Sequence, residues 1–116
     1  EAESLNVEYE VHFSVNKIQN KILCTFKIVY KNDSDVVMQM IAECYYQIAP
    51  SSWSMLIKPD GNIVIPAEFL QHLGSLTVGT ARGILYARCY DTNLEKHLLP
   101  LINLTELITG DMIVEG

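Results

Sequence analysis

Three long segments in the first half of the chain alternate between apolar and polar residues. The first covers residues 5–15, the second residues 22–31 and the third residues 36–49. A period of two places the apolar side chains on one face of a strand and the polar ones on the other. A polar turn at residues 32–35 separates the last two segments and is of the kind that joins hairpins. The pattern therefore predicts three long antiparallel strands that share an apolar face.

The third strand differs from the first because its second face is also partly apolar. On that face three apolar residues, Val37, Ile41 and Tyr45, alternate with polar ones. A strand that is apolar on both sides is expected to be covered on both sides. The cover is either another part of this chain or a second subunit.

A connection at residues 51–65 follows Pro50, which ends the third strand. It contains four large apolar residues and a Pro-Asp-Gly-Asn turn at residues 59–62, and residues 63–65 suit one short strand. The large apolar residues of this crossover are Trp53, Met55, Leu56 and Ile57.

A long helix is predicted from Pro66 to about Tyr90, with residues 91–93 as its stop. Proline suits the first helical position, and apolar residues then recur at helical spacing. Residues 98–102 are predicted to be extended because Pro100 disfavours helix. Asn103 is then expected to cap a short helix at residues 104–108.

Four small residues lie at intervals of four along the long helix: Ser75, Gly79, Gly83 and Ala87. This spacing forms a nearly straight ridge on one helix face. Together with Gly74, the helix glycines cost on the order of 3 kcal/mol relative to alanine. Close approach of a neighbouring backbone would offset that cost. The neighbour is either the chain's own sheet or the same helix of a second subunit, and the sequence leaves both open.

Composition and motifs argue against several classes of function. The net charge is −6 and the eight Lys and Arg residues form no cluster, which disfavours nucleic-acid binding. No apolar run is long enough to span a membrane, and no signal peptide is visible. The three cysteines form no disulfide or zinc pattern, which favours a reducing, cytoplasmic location. The histidines are far apart and no catalytic motif is present, so we expect no enzyme activity, metal or cofactor.

The order of elements and two short motifs resemble the SecB-like family of protein-export chaperones. Residues 80–83, Thr-Ala-Arg-Gly, are similar to the family's helix segment around an Ala-Arg pair. Residues 98–104, Leu-Leu-Pro-Leu-Ile-Asn-Leu, are similar to its Pro-Val-Asn-Phe stretch before the last helix. The resemblance implies a single α+β domain at residues 1–116. It implies an antiparallel sheet of three to four long strands, packed with one long helix and a short C-terminal helix.

The resemblance also implies a function. Members of this family hold unfolded polypeptides in apolar grooves between the sheet, the crossover and the terminal helix. The residues that the resemblance assigns to peptide binding are Trp53, Met55, Ile57, Tyr45 and Ile41. We expect Trp53 to be at least partly exposed in a single subunit. The family assembles through the long helix and edge strand, which implies a homo-oligomer, a dimer or tetramer, with the small-residue ridge at its interface.

A second hypothesis assumes the same fold but a different kind of partner. The chain would then be a dedicated interaction or regulatory module with one specific partner, for example in a toxin–antitoxin system. A long, continuous, exposed apolar channel favours a chaperone that holds many polypeptides. A filled or short groove favours the dedicated module.

Overall fold

The computed structural model describes residues 6–90 and 100–116, and it has an α+β architecture. Three long strands form an antiparallel sheet in the order β1-β2-β3, with β1 at Asn6–Asn16, β2 at Lys21–Asn32 and β3 at Asp35–Gln47. The three strands predicted by alternation are confirmed to within two residues at each end that is described. The predicted strand start at Leu5, the helix stop at residues 91–93 and the extended residues 98 and 99 lie outside the described residues.

The central strand β2 contributes the most deeply buried side chains of the sheet. Every second side chain on it is fully buried, and these are Ile22, Cys24, Phe26, Ile28 and Tyr30. The apolar side chains of β1 are only half-buried, because β1 lies at one edge of the sheet. The alternating pattern thus marks the covered face correctly, and the strand's position in the sheet determines how deeply each side chain is buried.

Near the hairpin between β2 and β3, the alternation of side chains along β3 differs from the predicted one. Strict alternation along β3 places Val36 on the covered face with Met38, two residues later, yet Val36 is exposed. The register shifts between Tyr30, which pairs with Met38, and Lys31, which pairs with Val36, so that Val37 is an extra residue. Such a bulge changes the direction of the strand and breaks the period of two.

The crossover begins with a helix, which the sequence did not predict, and continues into a turn. Helix α1 covers Pro50–Leu56, with Pro50 in its first turn. Proline is tolerated there because the first N–H groups of a helix have no partner within the helix. The predicted turn is present, with Gly61 at a φ of +88°. The predicted short strand is also present as β4 (Ile63–Ile65).

Two further helices pack beside the three-stranded sheet and form a second layer of the fold. Helix α2 (Ala67–Cys89) packs on β2 and β3, and helix α3 (Leu104–Leu107) packs on α2, so the predicted long and short helices are confirmed. The Asn103 side chain accepts a hydrogen bond from the Thr105 N–H at 3.1 Å, as a helix cap does. A fifth strand, β5 (Met112–Val114), pairs with β4 and was not predicted.

A hydrogen bond joins the first residue of α2 to the segment between α3 and β5. The residue before it, Pro66, makes no side-chain cap. Asp111, which lies between α3 and β5, accepts a hydrogen bond from the Ala67 N–H at 2.8 Å instead. The carboxylate also lies at the positive end of the helix dipole. Residues that are distant in sequence therefore fix the position of the long helix.

Candidate functional site

The small-residue ridge lies on the outer face of α2. Ser75, Gly79, Gly83 and Ala87 are all exposed. Apart from its chain neighbours and the backbone of its own helix, a Cβ atom added to Gly79 or Gly83 would meet no atom of the described residues within 4 Å. The interpretation that the ridge packs on the chain's own sheet is therefore wrong, since the sheet contacts the opposite side of the helix.

Gly74 differs from the other two helix glycines. An added Cβ atom there would lie 3.4 Å from side-chain atoms of Leu104 and Ile108. The close packing of α3 on α2 thus explains why residue 74 is small. Nothing within the described part of the subunit explains why Gly79 and Gly83 are small.

Larger apolar side chains lie beside the ridge. Leu76, Ile84, Tyr86 and Tyr90 are exposed, although α2 buries a full face against the sheet. The ridge and these four residues together form what we call the outer face of α2. A helix of 23 residues spans about 34 Å, so this face is long enough to contact another helix over several turns.

Strand β3 is the second exposed apolar surface. It is an edge strand of the three-stranded sheet, and among the described residues no other strand pairs with its outer edge. Val36, Val37, Ile41 and Tyr45 are exposed along its length. A groove of about 370 Å³ lies between this edge and α2, bordered by four successive strand residues, Met38 to Ile41, and by Ile84, Leu85 and Arg88.

A second groove lies at the opposite edge of the sheet. It has a volume of about 410 Å³, and its walls are Val11, His12 and Phe13 of β1 and the segment at residues 107–112. Sequence reasoning missed it because the wall forms only when the C-terminal segment folds back beside β1. The two grooves lie at opposite edges of the sheet, so they do not form one continuous channel.

The five residues proposed for peptide binding do not form one site. Trp53 is 6% exposed and belongs to the main core, so the expectation that it is exposed is wrong. The cause is α1, which turns this side chain inward where an irregular loop would have left it outside. Met55 and Ile57, in contrast, are 77% and 45% exposed at the end of the crossover.

Tyr45 and Ile41 lie on β3, where they are 67% and 54% exposed. They alternate with Ala42 and Tyr46, which face α2, so their side chains are directed to the opposite face of the sheet. Of the five predicted residues, only Ile41 borders the groove between β3 and α2.

A small polar cluster lies between the sheet and α2. The Tyr46 and Thr77 hydroxyl groups are 2.8 Å apart, and the Thr77 hydroxyl donates to the Leu73 carbonyl at 2.9 Å. Burial raises the pKa of Tyr46 and also that of the Cys24 thiol, which lies beside Thr77. These groups are satisfied within the subunit, so we interpret them as part of the core.

Two further kinds of feature are absent from the described residues. Within residues 6–90 and 100–116, no group of three His, Cys, Asp or Glu side chains is placed to hold a metal ion. None of the described helices has the length and apolar character needed to cross a membrane.

Comparisons of this chain with known protein families, with curated proteins and with solved structures found no match. The edge of β3 and the outer face of α2 are the two exposed apolar surfaces that a partner could contact.

Proposed function

We propose that this chain is a SecB-like, non-catalytic polypeptide-binding protein that acts as a homo-oligomer in the cytoplasm. The observation that carries the proposal is the exposed apolar edge of β3. An extended polypeptide can pair its main chain with such an edge while its alternate side chains enter neighbouring pockets. The groove beside Met38 and Met40 is such a pocket, and methionine adapts to apolar groups of different shapes.

The composition of β3 supports this proposal. Proteins normally protect long edge strands with charged residues, especially lysine, or with proline. Strand β3 has 13 residues and no lysine or proline, and Asp35 and Glu43 are its only charged residues. The opposite edge strand, β1, carries Glu8, Glu10 and His12 on its outer face. Apart from these two acidic residues and the bulge at Val37, the β3 edge has no such protective feature, so we expect a partner to cover it.

The outer face of α2 is the proposed surface for self-association. Gly79 and Gly83 together cost about 2 kcal/mol in an isolated helix, and no packing within the described subunit offsets this. A two-fold axis through Gly79 would bring the ridge against itself, with Ser75 of one subunit opposite Gly83 of the other. Such a symmetric contact is the usual arrangement in homodimers. Interdigitating i±4 ridges favour helices that cross at about −50°.

The test of polypeptide binding is suppression of aggregation. A chemically denatured, unrelated protein is diluted into buffer with and without this chain, and light scattering is followed. We expect scattering to fall as the chain is added.

Ile41→Asp should weaken the effect because it places a charge in the β3 edge. Ile113→Asp is the matched control, since Ile113 is also exposed but lies on β5, in the two-stranded sheet with β4. Unchanged scattering with the unmodified chain would overturn the proposal.

A second candidate function is favoured by the shape of the grooves. Each groove is short, and the two are separated by the width of the sheet. A dedicated interaction module, of the kind found in toxin–antitoxin systems, needs only one such groove for its partner. This alternative predicts no suppression of aggregation for unrelated proteins, so the same experiment distinguishes the two.

A further inference from the structure

Cys24 and Cys44 lie directly opposite each other on neighbouring strands. Cys24 on β2 pairs with Cys44 on β3, and both side chains are on the sheet face that α2 covers. Opposite residues in antiparallel strands have Cα atoms about 4.5–5.5 Å apart. A disulfide spans Cα separations of about 4.4–6.8 Å. The strand pairing alone therefore brings the two thiols within bonding reach.

The two thiols differ in how accessible they are. Cys24 is fully buried beside Thr77, and burial raises its pKa, which favours the neutral thiol. Cys44 is half-buried on the edge strand. A dissolved reagent therefore meets the sulfur of Cys44 first, and Cys24 is protected from direct attack.

We propose that Cys24 and Cys44 form a reversible disulfide across β2 and β3 when the protein meets a low-molecular-weight disulfide. This inference is independent of the proposed function. The two cysteines are reduced in the structure, so the disulfide is a modification of the protein described here.

The reaction has two steps. The Cys44 thiolate attacks one sulfur of the reagent, the reagent's S–S bond breaks, and one small thiolate leaves. Cys24 then gives its proton to water and attacks the Cys44 sulfur, and the second small thiolate leaves. The two protein thiols lose two electrons and two protons in total. The reagent gains them and becomes two thiols.

The bond should be easy to reduce again. Opposite Cβ atoms in antiparallel strands are about 4.5–5.5 Å apart, whereas a relaxed disulfide has them at about 3.5–4.5 Å. The resulting strain favours the reduced state, as in labile disulfides. When formed, the bond ties the edge strand β3 to the centre of the sheet.

Cys89 is not expected to take part. It lies on α2 with its Sγ atom 3.6 Å from the Sδ atom of Met38. Met38 is six residues from Cys44 along β3, which corresponds to about 20 Å in a strand. The third thiol is therefore too far from the pair and serves as an internal control.

The experiment uses the unmodified chain with glutathione disulfide as the probe. After incubation under native conditions, remaining thiols are alkylated in denaturant and the protein is analysed by mass spectrometry. We expect the three alkylatable thiols to fall to one, and peptide mapping to show Cys24 joined to Cys44. The intact mass before alkylation should fall by about 2 Da, and dithiothreitol should restore it.

Two variants complete the test, each checked for native circular dichroism. Cys89→Ala should form the same disulfide, whereas Cys44→Ser should retain the Cys24 thiol. Three alkylatable thiols in the unmodified chain after incubation would overturn the proposal. So would a lasting glutathione adduct on Cys44 or a disulfide that includes Cys89. Mapping of the unmodified chain decides the matter even if Cys44→Ser fails to fold.

Discussion

At the scale of single residues, Tyr30 is the least satisfied group in the core. Its side chain is fully buried on β2, and among the described residues its hydroxyl group has no hydrogen-bond partner. Burial raises its pKa, the nearby Cys89 thiol raises it further, and Arg82 opposes both effects. A buried hydroxyl group without a partner costs about 1–3 kcal/mol.

We predict that Tyr30→Phe stabilises the protein. The ring would remain in the core and the unsatisfied hydroxyl would be removed, so the free energy of unfolding should rise by about 1 kcal/mol. Urea unfolding followed by circular dichroism at neutral pH measures this. Tyr46→Phe is the control, because its hydroxyl does have partners and its removal should destabilise. A lower free energy of unfolding for Tyr30→Phe would indicate that the Tyr30 hydroxyl group does have a hydrogen-bond partner.

The same variant should also change the response to alkaline pH. The folded-state pKa of Tyr30 lies above its ordinary value of 10, so the unfolded chain releases this proton first as the pH rises. Stability is therefore lost above about pH 10, where the unfolded state binds fewer protons than the folded state. Tyr30→Phe should make this loss less steep, which unfolding curves at pH 9 and pH 11 would show.

Trp53 and Met55 are two residues apart and should behave in opposite ways. Trp53→Ala would leave a cavity in the core and should lower the free energy of unfolding by about 3–5 kcal/mol. Met55→Ala changes an exposed side chain and should stay within about 0.5 kcal/mol. Urea unfolding of both variants tests this. A stable Trp53→Ala protein with impaired polypeptide binding would support the site assigned from the sequence instead.

At the scale of elements, periodicity predicted the long strands and α2 because each has many residues in phase. It could not predict β5, since three residues carry too little pattern alone. The equally short β4 was predicted because the turn at residues 59–62 and Pro66 mark its two ends. Periodicity also missed α1, because Pro50 ends a strand and begins a helix equally well. The bulge at Val37 shifted the phase of a strand that was otherwise correct.

The candidate site was harder to predict than the fold. The spacing of Gly79 and Gly83 identified a ridge, but α2 is apolar on several sides, so the sequence did not show which side met the sheet. The phase of β3 placed Ile41 on the face opposite the core, and that face was expected to be covered by this chain or by a second subunit. Within the described subunit Ile41 is exposed, so no described part of this chain covers it. Trp53 was misassigned because the burial of a crossover residue depends on how the crossover folds.

The orientation of the ridge gives a sharp prediction for Gly79→Leu. The new side chain would enter open space in the subunit, so the variant should keep its helical circular dichroism. In the oligomer it would separate the two helices, so the mass measured by light scattering should fall. Gly74→Leu is the matched control, because its side chain would collide with Leu104 and Ile108 and should destabilise the subunit itself. An unchanged mass for Gly79→Leu would exclude the ridge from the interface.

The cap on α2 offers a second test at this scale. Asp111→Ala removes the acceptor for the Ala67 N–H and should lower the free energy of unfolding by about 1 kcal/mol. Asp111→Asn retains an acceptor without the charge and should lose less. Urea unfolding of both variants separates the hydrogen bond from the interaction with the helix dipole. Equal stability of Asp111→Ala and the unmodified chain would show that the contact contributes nothing.

At the scale of the whole molecule, the subunit is elongated and has a large surface. Its extents are 55 × 23 × 19 Å and its radius of gyration is 16.7 Å, against about 13 Å for a compact domain of 116 residues. Its accessible surface is 7314 Å², whereas a monomer of 13.1 kDa is expected to expose about 6,400 Å². One helix layer on a long sheet leaves surface that a second subunit would cover.

We therefore predict that the unmodified chain is a dimer or tetramer in solution, and that salt strengthens its association. The outer face of α2 is mainly apolar, so few attractive ion pairs are available for salt to weaken. Each subunit carries a net charge of −6, and the repulsion between subunits is screened as ionic strength rises. Sedimentation equilibrium at about 20 mM and about 500 mM salt measures both effects. A folded monomer at high protein concentration in both buffers would end the oligomer hypothesis. An oligomer that dissociates in high salt would instead indicate that ion pairs, and not the apolar helix face, hold the subunits together.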